Sequence, residues 1–245
     1  MTDGVSTRTV ELATADGAMA GFEARPDVAA SRAVIVVQEA FGVNHYIEGV
    51  TERFAAAGFD AVAPAFFHRA GGGTAPYDDF SKVIPLFEGL TDDGILMDVD
   101  AAFAHLDALG RDVDAIGLVG FCMGGRISFL AAARRSFGAS VGFYGGGLVT
   151  PRFPQFPALV DESATLATPW LGLFGDDDGG IPVEEVETLR AALVDAPVPT
   201  EIVRYPGAEH GFFCDERPAY NAEASADAWP RTLDWFERHL AGTSA

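Results

Sequence analysis

The stretch Ala115-Ile116-Gly117-Leu118-Val119-Gly120-Phe121-Cys122-Met123-Gly124-Gly125 decides the fold of this 245-residue sequence. Residues 115–119 form a short apolar run of the kind found in a strand buried on both faces. Residues 122–133 read as the helix that follows it. Gly-x-Cys-x-Gly between a strand and a helix is the context of a nucleophile elbow, with Cys where such turns commonly carry Ser. The logic is steric: the turn is sharp, its central residue is strained, and small neighbours let the chain pass closely. A thiol at that point stands over a helix N-terminus, whose partial positive charge favours thiolate. A lone Cys is most often a small buried hydrophobe, but strand, glycines and helix together single out Cys122 as a nucleophile. No Ser occupies such a turn.

Outward from the elbow the same alternation continues. Towards the N-terminus lie a helix over 98–109 ending at Gly110, a short strand over 61–63, a helix over 46–57 closed by Gly58, and a strand over 33–37. Before these, 9–12 and 19–23 flank the turn signal Ala15-Asp16-Gly17 and read as a hairpin. Towards the C-terminus, strands over 140–144, 170–174 and 200–205 alternate with a helix over 183–193, and an amphipathic helix over 222–240 closes the chain. Strands alternating with helices imply parallel crossovers. The expected class is α/β, a mostly parallel central sheet with helices on both faces and an antiparallel N-terminal hairpin. Two stretches interrupt the alternation, 68–79, rich in Gly and polar residues, and 146–164, which carries Pro151, Pro154 and Pro157. Both follow strand-like segments, on the side where open α/β sheets place ligands, and are expected to form a pocket wall or lid.

Length and composition narrow the function. A chain of 245 residues with 49% hydrophobic and 21% charged residues is expected to form one domain over 1–245. Sixteen basic residues against 36 acidic give a net charge of −20, which argues against nucleic acid as a partner. No apolar run approaches the roughly 18–20 residues of a membrane span, so no membrane partner is expected. The opening Met-Thr-Asp-Gly-Val-Ser lacks a basic region followed by an apolar stretch, and two Cys cannot staple a chain of this size. The expected setting is the cytoplasm.

A nucleophile needs a base and the base an orienting carboxylate. In α/β-hydrolase order the acid and then the His follow the nucleophile, which leaves His210 and His239. His239 sits near the end of the last helix beside Arg238 and reads as a surface residue. His210 lies in Pro206-Gly207-Ala208-Glu209-His210-Gly211-Phe212, a loop after a strand, where a base belongs. The segment Gly175-Asp176-Asp177-Asp178-Gly179-Gly180-Ile181-Pro182 supplies the acid, with three Asp to choose from. As a calcium loop it fails, because Ile181 stands where the sharp turn needs Gly.

With these residues in view, the sequence resembles the dienelactone hydrolase family, the carboxymethylenebutenolidases, from about Val34 to Phe236. Gln38-Glu39-Ala40-Phe41-Gly42-Val43-Asn44 is similar to the family's Q-E-x-F-G-x-N segment, and Pro64-Ala65-Phe66-Phe67-His68-Arg69 to its P-x-L-[YF]-x-R segment. Residues 120–125 match its G-[FW]-C-x-G-G elbow, 175–182 its G-x-x-D-x-x-[IV]-P, and 210–212 its H-G-F. The resemblance implies Asp178 as the acid and gives Glu39 a role, contacting the resting thiol and shifting when substrate binds. It also implies an oxyanion hole from the N–H groups of Ala40 and Met123. Of the two arginines that grip an anionic substrate in the family, Arg69 matches one. The other is replaced by Cys214, with Arg217 three positions further on.

The expected activity is hydrolysis of a small ester or lactone through a Cys122 acyl-enzyme, with His210 as base and Asp178 holding it. No metal or organic cofactor is called for, and the chain is expected to be a monomer or small homo-oligomer. Arg69, Tyr144 and Phe41 are the expected substrate contacts. Two rival readings are a broader carboxylesterase or thioesterase, with an apolar pocket from Phe41, Phe66, Phe67, Tyr77, Tyr144 and Phe212, and a non-catalytic binding module on the same fold.

Overall fold

A computed structural model describes residues 4–242; the first three residues of the opening stretch and the two extreme ends of the expected domain lie outside them. One sheet of eight strands runs through the described residues in the order β1-β2-β4-β3-β5-β6-β7-β8. Strands β1 (Val5–Thr14) and β2 (Gly17–Pro26) form the antiparallel hairpin, paired from Val5 with Pro26 to Thr14 with Gly17 around Ala15-Asp16. Both, at 10 residues, are at least twice the expected length. Most of β1 is exposed on the sheet edge and only Leu12 is buried, so no apolar alternation marks its extent.

Strand β2 pairs antiparallel with β4 (Phe59–Pro64), and from β4 onward every pairing is parallel. The parallel strands β3 (Arg32–Val37), β5 (Ile116–Phe121), β6 (Ala139–Phe143) and β7 (Trp170–Gly175) are buried almost throughout, as their continuous apolar runs require. Strand β8 (Thr200–Tyr205) closes the far edge. From β3 the chain moves to β4 on one side and then to β5 on the other, so a crevice opens where β3 and β5 end.

Helices flank the sheet. On α1 (His45–Ala56) Phe54 packs at 4.7 Å on Trp229 and at 6.1 Å on Phe236, both from α5 (Ala222–His239). Helix α2 (Asp92–Ala108) meets α3 (Met123–Arg134) through a buried pair, Arg126 donating to Asp92 at 2.6 and 3.0 Å. Helix α2 starts six residues before the expected 98, because Thr91 caps it by accepting from the Gly94 N–H at 3.1 Å; Gly94, a poor helix former, hides that first turn from a propensity reading. Helix α4 (Val183–Ala192) lies between β7 and β8. Short 3₁₀ turns at Phe66–Ala70 and Val160–Thr165 overlap the two interrupting stretches, and two more, at Phe80–Lys82 and Ile84–Phe87, follow the first stretch in a segment that the alternation did not mark.

Candidate active site

Cys122 stands between β5 and α3 with φ 55° and ψ −111°. The only other non-glycine residue at positive φ among those described is Tyr144, at 38°. A helical residue cannot adopt such angles, so α3 begins at Met123 rather than at the expected Cys122. The flanking glycines pack backbone against backbone. A Cβ on Gly120 would run into the Gly124 carbonyl, and one on Gly124 would sit 2.5 Å from the Val37 carbonyl oxygen and 2.7 Å from that of Gln38. The Cys122 N–H donates to the Phe143 carbonyl at 3.0 Å, which ties the elbow to β6.

His210 reaches the elbow from the loop after β8, and its Nδ1 lies 2.7 Å from Asp178 Oδ2. The second Asp178 oxygen accepts from the N–H groups of Gly180 and Ile181 at 2.8 and 3.1 Å, so the carboxylate cannot turn away. Of the three consecutive Asp, Asp178 alone is buried; Asp176 binds Arg204 at 2.7 Å and Asp177 is exposed. Burial by itself would lower the His210 imidazole, but the neighbouring Cys122 charge and the Asp178 bond outweigh it and push His210 up to about 10. The charged imidazole is the form that those neighbours favour.

Glu39 is fully buried in the turn after β3. It accepts from the Tyr77 hydroxyl at 3.1 Å and from Arg217 at 3.3 Å. The Tyr77 hydroxyl in turn accepts from Asn44 at 3.0 Å and from the Cys214 thiol at 3.5 Å. Burial raises the Glu39 carboxyl above its ordinary range, against the opposing pull of Arg217, Tyr77 and His210. The carboxylate is thus held by Tyr77 and Arg217 rather than by the thiol that the resemblance implied.

A cavity of about 560 Å³ opens over Cys122 and His210. Ala40 and Met123 line it, and Met123 holds the first position of α3, where an N–H has no intrahelical partner. The expected substrate contacts lie elsewhere. The Arg69 guanidinium is bound to Asp98 at 2.6 and 2.9 Å and to Asp16 at 2.7 and 3.1 Å, and Arg69 does not line the cavity. Nor do Phe41 and Tyr144, which are core residues; the Tyr144 ring backs the His210 ring at 5.1 Å. The expected aromatic wall is displaced as well. Phe66, Phe67 and Phe212 are buried in the core, and the rings at the cavity belong to Phe80, Phe87, Phe153 and Phe156. Phe153 and Phe156 fall in the interrupting stretch 146–164, which the alternation did flag.

Arg217 is the residue that the motif spacing missed. Cys214 is fully buried, and burial pushes its thiol up to about 12. Successive turns, Cys214 N–H to the Gly211 carbonyl and Arg217 N–H to the Cys214 carbonyl, wind the chain so that Arg217 returns to the cavity wall. His239 is half-buried rather than on the surface, its ring 4.3 Å from Trp235 and away from the cavity. Among the described residues no group of three His, Cys, Asp or Glu is placed to hold a metal ion, and no helix is long and apolar enough to cross a membrane.

Comparison with known proteins identifies the family. The dienelactone hydrolase family profile matches residues 19–240. A Yersinia pestis protein provisionally named carboxymethylenebutenolidase is 40% identical over 216 residues, covering 86% of this chain and 79% of the relative. A carboxymethylenebutenolidase of Rhodococcus opacus is 30% identical, over 91% of this chain and 88% of its own. The crystal structure of a provisionally assigned dienelactone hydrolase from Klebsiella pneumoniae superimposes with a TM-score of 0.89 at 35% identity, covering 97% of this chain and 100% of the other.

Proposed function

The chain belongs to the dienelactone hydrolase family, carboxylic ester hydrolases of the α/β-hydrolase superfamily, and from that premise we propose that Cys122, His210 and Asp178 cleave a small ester or lactone through an acyl-enzyme. The thiolate of Cys122 attacks the carbonyl carbon, and the N–H groups of Met123 and Ala40 receive the oxyanion. As the intermediate collapses, the carbon–oxygen bond to the leaving group breaks and the His210 imidazolium protonates that oxygen. Water then attacks the thioester, His210 takes its proton, and Cys122 leaves as thiolate with the acid released. Asp178 holds His210 in the orientation and charge state that both halves need. Glu39 sets how readily the thiolate forms, since a carboxylate beside Cys122 opposes a second negative charge.

The observation that carries this reading is the 2.7 Å bond from His210 to a buried, doubly held Asp178, at a cavity that Cys122 also lines. One domain and a cytoplasmic setting belong to the same reading; Cys122 and Cys214 are both free thiols, as a reducing compartment keeps them. The test is hydrolysis of a panel of small esters and lactones by the wild type and by Cys122→Ala. Turnover that survives in the variant overturns the reading.

A further inference from the structure

Resting on hydrolysis at Cys122, we infer that the substrate is an uncharged ester or lactone whose apolar flank lies in an aromatic box formed by Phe87, Phe153 and Phe156. The three rings meet edge to face. Phe87 and Phe153 lie 5.0 Å apart at 66°, Phe153 and Phe156 6.3 Å at 85°, and Phe87 and Phe156 6.3 Å at 71°. All three line the cavity that holds Cys122 and His210. Phe80, half-exposed, extends the same wall. A cavity of about 560 Å³ accommodates a group of the size of a substituted aryl or a short acyl chain beside the reacting carbonyl.

The charges argue the same way. Three guanidinium groups face this cavity, and each already has a carboxylate. Arg126 is bidentate to Asp92 at 2.6 and 3.0 Å, Arg152 meets Glu185 at 3.0 Å, and Arg217 meets Glu39 at 3.3 Å. Arg126 also donates to the Pro157 carbonyl at 2.7 Å and stacks 5.0 Å from the Phe156 ring, so its charge serves to hold the box. By contrast Asp177 and Glu209, exposed where they line the cavity, have no ion pair among the described residues. A substrate carboxylate would lose its water, meet no spare cation, and approach two negative charges. An apolar flank loses nothing on desolvation and gains the rings.

The experiment compares two chromogenic esters of one chain length, 4-nitrophenyl hexanoate and mono-4-nitrophenyl adipate, in which a terminal carboxylate replaces the terminal methyl and lies too far along the chain to attack its own ester. The expected kcat/KM favours the hexanoate by at least tenfold, and the preference persists in 0.5 M salt, where long-range repulsion from the −20 surface is screened. Phe153→Ala is expected to lower kcat/KM for the hexanoate by about 10- to 100-fold, the scale of one buried aromatic side chain, and Phe153→Leu to restore most of it. The rate at which iodoacetamide alkylates Cys122 stays unchanged in both variants. An adipate hydrolysed within tenfold of the hexanoate, or a preference that vanishes in salt, overturns the substrate class while leaving Cys122 hydrolysis standing. Hexanoate hydrolysis that survives Cys122→Ala removes the underlying mechanism instead.

Discussion

Around Cys122 spacing is set by backbone packed on backbone, whereas around Phe153 it is set by side chain packed on side chain. The elbow hangs from the ends of β5 and β6, with Gly124 against the turn after β3. The aromatic wall hangs from 3₁₀ turns at Ile84–Phe87 and from the proline-rich loop that carries Phe153 and Phe156. Backbone contact leaves no rotamer to absorb a change. Side-chain contact leaves several, and its losses are graded by area. Reaction and selectivity are therefore carried by parts of differing stiffness, and substitutions should separate them.

The largest effect should come from the rigid part. Cys122→Ala is expected to lower kcat on any accepted ester by about 10³-fold or more, and His210→Ala by a similar factor, because the two act as one unit. Folding should survive in Cys122→Ala, since a half-buried side chain is exchanged for a smaller one; circular dichroism and melting check this. A wall substitution that cost as much as Cys122→Ala would erase the distinction between the two regions.

Gly124→Ala tests backbone spacing without touching a reacting group. The new Cβ would meet the Val37 oxygen at 2.5 Å, so β3 or α3 must shift and carry Ala40 or Met123 with it. The expected cost is about 1–3 kcal/mol in stability, as for other overpacked sites. A displacement of that kind lowers kcat by about 100-fold. If Gly124→Ala melts and turns over like the wild type, the elbow is more compliant than its contacts indicate.

Smaller and pH-dependent effects are expected where charge is stored. His210 is held up to about 10 against an ordinary 6.5, so the protonated imidazole stabilises the folded chain. That contribution is complete below pH 6.5 and is lost as pH rises through about 10. Relative to His210→Gln, the wild type should lose melting temperature steadily across that interval. Glu39→Gln should shift the pH dependence of Cys122 alkylation towards lower pH, because the neutral amide no longer repels the thiolate. Identical alkylation rates for the two proteins at every pH would remove Glu39 from control of the nucleophile.

The same division explains what could be read from the residues alone. The elbow, the order of acid and base and the parallel core were legible because strands and turns impose local patterns: apolar runs for strands buried on both faces, glycines where a Cβ has no room. The choice of Asp178 among three neighbours rested on motif similarity and acquires its physical reason only in three dimensions, from the two N–H groups that hold it. The cavity wall was not legible. Phe66 and Phe67 follow β4 and looked exposed to the site, yet the chain turns them into the core, while Phe80 and Phe87 come from a segment with no periodicity. Arg217 escapes a motif counted along the chain, and two consecutive turns bring it back to Glu39.

Arg69 sharpens the comparison from its quiet end. By motif it grips a substrate carboxylate, but its guanidinium bridges Asp98, fully buried, and Asp16, and its side chain is 16% exposed. Arg69→Met keeps the aliphatic stem and removes the charge, which leaves Asp98 with only His68, 3.1 Å away. Breaking a buried pair from one side typically costs about 3–5 kcal/mol. Residual exposure and the remaining His68 contact place this one towards the lower end of that range. Because the bridge ties Arg69 to α2 and to the β1–β2 turn, the loss should register in the melting temperature. Turnover, measured well below that temperature, should change less than about threefold for charged and uncharged esters alike, since no contact to the cavity is removed. A selective loss on mono-4-nitrophenyl adipate, with the hexanoate unaffected, would mean that Arg69 leaves Asp98 to meet an anion. The wall would then include a mobile cation, and selectivity would rest on charge as well as on the aromatic box.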